Sequence, residues 1–218
     1  MRTEDLIVKL AREAGPVRPV PSLASRLGWW LLASVTCAAV MVAVARPRPD
    51  LVLALNDPAF LLTTVTILVL AVTSATAALS LSVPNEARPM IVRLAPPVAA
   101  AGWALLLAAH LVSDGRALAA LLSEPAHVAC LFQIAGVALI PAVVLVAEVR
   151  RAAPLEGTWT GILAVAASLA VGGVSSALIC PIDRVAHQVW WHLLPVVGLA
   201  GVGLIVGRTW LDRLRARR

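Results

Sequence analysis

Between two apolar runs lies Cys180-Pro-Ile-Asp-Arg-Val-Ala-His187-Gln-Val-Trp-Trp-His192, a polar stretch holding a thiol, a carboxylate and two imidazoles. These are the side chains that ligate metals or carry redox chemistry. A second group lies upstream, with His127 three residues before Cys130, while Asp183 follows Cys180 by the same spacing. If Cys130 and Cys180 approach each other, two chemistries open: a disulfide, or a pair of thiolates bridged by a soft metal ion. His127 and Asp183 could each add a ligand or lower a thiol pKa, and His187 and His192 are further ligand candidates. His-x-x-Cys and Cys-x-x-Asp lack the specificity of paired Cys-x-x-Cys knuckles. The competing reading is structural, with the thiols as small buried hydrophobes and the histidines as interfacial anchors beside Trp190 and Trp191. Spacing alone leaves both open.

The elements that must position these residues are apolar. Of 218 residues, 60 % are hydrophobic and only 14 % charged, which fits a bilayer and not the charged coat of a water-soluble domain. Six apolar runs, at 27–45, 59–83, 94–112, 126–147, 159–179 and 189–207, each approach the ~20 residues that a spanning helix needs. The fold expected is therefore all-α, an integral membrane bundle of six transmembrane helices with both termini on one side. The first run is read as a retained anchor and not as a cleaved leader, because a 26-residue segment containing acids precedes it. The organisation is an N-terminal segment (1–26), a six-helix domain (27–207) and a basic tail (208–218).

Residues 3–14 place Leu6, Ile7, Leu10 and Ala14 on one helical face, with Thr3 as a cap, Glu4 and Asp5 complementing the dipole and Gly15-Pro16 as a stop. This short amphipathic helix either lies on the membrane or its own loops, or docks on a partner. Asn56-Asp57-Pro58 predicts a cap followed by a first-turn proline, and Val83-Pro84-Asn85 ends the second span. Pro141 and Pro195 permit kinks inside spans four and six. Gly172, Gly173, Gly198, Gly201, Gly203 and Gly207 fit close helix packing.

Basic residues set the orientation. Fourteen of the eighteen lie in the N-terminal segment, in loops 84–93 and 148–158 (Arg88, Arg93, Arg150, Arg151) and in the tail. Arg46, Arg48, Arg116 and Arg184 alone fall on the other side, so the positive-inside rule places both termini in the cytoplasm. The net charge of +6 is thus a topology signal, and direct nucleic-acid binding is set aside. His110, His127, His187, His192, Cys130 and Cys180 then share the outer face, which leaves Cys37 inside the first span. No span carries Asp, Glu, Lys or Arg in its middle, against a coupled transporter. No phosphate loop, zinc-protease helix or nucleophile elbow occurs, so nothing argues for an enzyme.

The segment Thr3-Glu-Asp-Leu-Ile-Val-Lys-Leu10, Asp57-Pro58-Ala-Phe60, Leu81-Ser-Val-Pro84, Cys130, Cys180-Pro181, Asp183, His187 and Trp191-His192-Leu-Leu-Pro195 together resemble the negative-regulator-of-sigma-F (NrsF-type) family. The resemblance covers essentially the whole chain. It implies a six-span anti-sigma factor of the bacterial inner membrane that holds an extracytoplasmic-function sigma factor and releases it under stress. It also implies that Cys130 and Cys180 sense the signal, whereas Cys37 has no counterpart and is read as packing. No resident cofactor is expected, and a soft or heavy metal ion would arrive as signal. On this reading Leu6, Ile7 and Leu10 dock on the sigma factor while Arg88, Arg150 and Arg151 meet its acidic surface. The alternative is a membrane redox protein, either a haem-b carrier using two of His110, His187 and His192 or a thiol oxidoreductase.

Overall fold

The computed structural model describes residues 2–13, 19–83, 89–113, 117–152, 154 and 156–211. Gly15-Pro16, Arg88 and the basic tail beyond Leu211 lie outside the described residues. Among the described residues there are nine helices and no strand. Helix α1 (Thr3–Glu13) is amphipathic and buries none of its residues. Its cap is not Thr3, which lies in the first turn; instead the Arg2 backbone amide donates to the Asp5 carboxylate at 3.3 Å.

Six helices are long and apolar enough to cross a membrane: α2 (Leu23–Ala45), α4 (Pro58–Leu81), α5 (Met90–Ser113), α7 (Val128–Arg151), α8 (Gly157–Ile179) and α9 (Val185–Leu211). Short helices α3 (Leu51–Ala54) and α6 (Ala117–Ser123) sit in the links between α2 and α4 and between α5 and α7. The caps follow from the sequence. The Ser22 hydroxyl accepts from the Ser25 amide at 3.2 Å, and the Asp57 carboxylate accepts from the Ala59 amide at 3.0 Å with Pro58 in the first turn. The short links make the bundle antiparallel. The C-termini of α2, α5 and α8 and the N-termini of α4, α7 and α9 therefore share one end, the cysteine end.

Helix α8 is the central element, packed against α4, α7 and α9. Backbone approaches closely where side chains are missing: a Cβ on Gly172 would lie 2.3 Å from the Ile134 carbonyl oxygen, one on Gly161 would lie 2.4 Å from the Gly203 oxygen, and one on Gly207 would lie 2.5 Å from Thr158 Cα. Gly173 meets the Ile67 side chain, but Gly198 faces open space and Gly201 meets only the Gly198 carbonyl of its own helix. The glycine pattern thus marks contacts at some of the expected positions and not at others. Around α8, Trp30, Ile67, Trp103, Ile134 and Leu145 fill the core.

Several charged residues assigned to loops by hydropathy are helical. Arg26 lies in the first turn of α2, buried, and its guanidinium donates to the Leu79 carbonyl (3.3 Å), the Ser82 hydroxyl (2.9 Å) and the Glu148 carbonyl (2.7 Å). The buried Glu148 carboxylate pairs with Arg26 at 3.5 Å and accepts from Arg151. This pairing satisfies charges that would otherwise end the apolar helices, so α2 starts before residue 27 and α7 runs on through Arg151. Helix α9 is also irregular: it contains π turns at Val189–Leu193 and Gly207–Leu211, the first directly before Pro195.

Candidate functional site

Four side chains from three helices meet at the cysteine end. Cys130 sits in the first turn of α7, Cys180 caps the C-terminus of α8, and His187 and His192 come from the start of α9. All four are buried, the two histidines completely. Cys130 Sγ lies 4.0 Å from Cys180 Sγ, and His187 Nε2 lies 3.7 Å from the first sulfur and 3.3 Å from the second. One ligand atom from each of the four falls within 4.8 Å of all the others.

The π turn explains how two histidines five residues apart face one centre. In a regular α-helix that separation turns the second side chain about 140° away from the first. A π turn takes an extra residue per turn and swings His192 back toward His187, leaving the ring centroids 5.3 Å apart. Neither ring nitrogen of His192 has a hydrogen-bond partner among the described residues. Buried imidazoles are ordinarily satisfied, and the polar groups that His192 faces here are the Cys180 thiol and the other members of the cluster.

His187 is held from behind by Glu124, in the link between α6 and α7. Glu124 Oε1 lies 3.2 Å from His187 Nδ1 and accepts from Arg184 at 3.2 Å, with the Glu124 side chain only 2 % exposed. A carboxylate can only accept, so Nδ1 carries the hydrogen and Nε2 presents its lone pair to the two sulfurs. The Trp190 and Trp191 indoles donate to the Leu121 and Pro125 carbonyls and fasten this link onto α9. His127 stands beside the cluster, its Nδ1 2.8 Å from the Pro125 oxygen and 3.7 Å from Glu124. Cys180 is the more acidic thiol: the hydrogen bond from Cys130 lowers its pKa, and burial opposes this.

With this arrangement in view, a family model described as negative regulator of sigma F matches residues 10–212. The chain belongs to the negative-regulator-of-sigma-F family. Membership makes it an anti-sigma factor, which implies a non-enzymatic role and a sigma factor as partner. No curated protein and no solved structure matches the chain.

For this family member the structure sorts the residues that the sequence brought forward. It gathers Cys130, Cys180, His187 and His192, with His127 at the edge. Asp183 is elsewhere: its carboxylate is forked by Arg48, at 2.8 Å from Nη1 to Oδ1, and Arg48 also clamps Asp50 with two bonds of 2.7 Å. Arg48 is buried beneath this clamp, 5.3 Å from the Phe60 ring centroid. His110 is also apart, lining a cavity of about 90 Å³ with Asp57, Phe60 and Asp183. Glu124 was missed because nothing in its spacing ties it to a histidine sixty-three positions away.

Away from the cluster, Leu6, Ile7 and Leu10 of α1 are exposed. Arg151 is paired with Glu148, and Arg150 lies over the Trp210 ring at 5.8 Å; both remain at the surface.

Proposed function

We propose that this chain is an inner-membrane anti-sigma factor, both termini cytoplasmic, that sequesters an extracytoplasmic-function sigma factor and releases it when metal or oxidant acts on Cys130 and Cys180 at the periplasmic end. The observation that best supports it is α1, an amphipathic helix with its apolar residues unburied in a member of a sigma-regulator family. Such a helix in water needs a groove to cover Leu6, Ile7 and Leu10, and a sigma factor supplies one. Arg88, Arg150 and Arg151 meet acidic surface on the captured partner, steering the encounter more than adding affinity.

Release requires that the event at the thiols favour one helix arrangement over another. A ~100-fold drop in sigma affinity needs about 2.7 kcal/mol of differential stabilisation, within what one ion across α7, α8 and α9 or one covalent link between α7 and α8 can contribute. The docking half is tested by a pull-down of sigma factor on membranes. Replacing Leu6, Ile7 and Leu10 together by alanine is expected to lower capture by tenfold or more, and unchanged capture would refute the model.

A further inference from the structure

We infer that Cys130, Cys180, His187 and His192 form one closed, four-ligand tetrahedral site for a divalent d10 cation of the Zn²⁺ or Cd²⁺ type, and that Glu124 is its positioning residue. The inference rests on the thiol half of the proposed function and is independent of the sigma factor.

The distances carry it. Zinc bonds of ~2.3 Å to sulfur and ~2.0 Å to nitrogen at tetrahedral angles put the two sulfurs ~3.8 Å apart and sulfur and nitrogen ~3.5 Å apart. The protein holds 4.0 Å between the sulfurs and 3.7 and 3.3 Å from them to His187 Nε2. A disulfide would need the sulfurs at ~2.05 Å, roughly half the separation present. Two sulfurs and two imidazole nitrogens are the donor set that suits a tetrahedral d10 dication, and two thiolates against one dication leave a neutral centre, the state that burial favours. His192 supplies an independent sign, since its ring is fully buried with both nitrogens unpartnered among the described residues.

Glu124 completes the design. A histidine that ligates a metal through one nitrogen donates its other N–H to a carboxylate, which fixes tautomer and ring orientation, and His187 has that arrangement at 3.2 Å. Arg184 on the same oxygen holds the carboxylate in place. Glu124 never touches the ion; it acts through His187.

The test is Cd²⁺ titration of the purified, reduced full chain in detergent without sigma factor, following the sulfur-to-cadmium absorption band and protection of the thiols from a disulfide reagent. The expected result is one ion per chain, with Cys130 and Cys180 protected together. Glu124→Ala should weaken binding by ~10–100-fold, and His192→Ala, which removes a ligand, by at least as much. Glu124→Gln should keep much of the affinity, because its amide oxygen still accepts from Nδ1. The metal-free melting temperature separates a positioning role from a structural one: a Glu124→Ala protein that melts like the parent yet binds weakly supports the inference. His110→Ala, outside the cluster, should bind as the parent does. Absence of binding by the parent protein, or equal binding with His192 and Glu124 both replaced, would overturn it. Sigma capture by the same preparations is scored separately, so failure of the site is distinguishable from failure of the anti-sigma reading.

Discussion

His187 serves two sets of partners at once, Glu124 through Nδ1 and the two sulfurs through Nε2. Its candidacy was legible from residue type, as was that of Cys130 and Cys180. The sorting was not. Asp183 and His127 looked equivalent by spacing, yet Asp183 answers to Arg48 because the guanidinium, buried in the link after α2, requires carboxylates to offset its own desolvation. That clamp yields a pH prediction. The hydrogen bond from Arg48 holds the Asp50 carboxyl below its usual range, while the Arg48 guanidinium is raised, chiefly by Asp183 and then by Asp50. A depressed carboxylate contributes stability that is complete above its ordinary pKa of about 3.9 and is lost as pH falls through the lowered value. The melting difference between the parent and Asp50→Asn should therefore be constant between about pH 5 and 8 and shrink only in stronger acid. A difference that instead grows on acidification would contradict the pairing.

Elements were legible to different degrees. The Asp57 cap and first-turn Pro58 follow from sequence, since a local hydrogen bond needs nothing beyond neighbouring residues. The π turn at Val189–Leu193 did not, because hydropathy in a membrane helix carries little periodicity, and only the pairing of His187 with His192 exposes the extra residue. Glycine roles were mixed for the same reason: a glycine reports that backbone can approach, not that it does. Gly172→Ala should cost about 1–3 kcal/mol, because the added Cβ would sit 2.3 Å from the Ile134 carbonyl and α7 must move off α8. Gly198→Ala, facing open space, should be neutral or stabilising by about 0.5–1 kcal/mol. Thermal unfolding of both variants in one detergent checks the contrast, and equal effects would contradict this packing.

At the scale of the whole molecule, six apolar runs were enough to count the spans, because bilayer thickness sets their length independently of packing. Their ends were less legible, since the Arg26–Glu148 pair lets charged residues continue a helix where hydropathy stops. The resulting molecule has a buried thiol and imidazole cluster at one end and an unburied amphipathic helix on the chain that enters the other. Linking the two is the central claim. The most direct measurement is co-purification of the detergent-solubilised protein with an extracytoplasmic-function sigma factor from the same cell, with and without Cd²⁺, for the parent and for Cys130→Ser with Cys180→Ser. The account predicts that both proteins capture sigma in the absence of the ion, that the ion releases it from the parent by ~100-fold, and that the double variant keeps hold. Capture of no sigma factor under any condition, or equal release from the double variant, would contradict it.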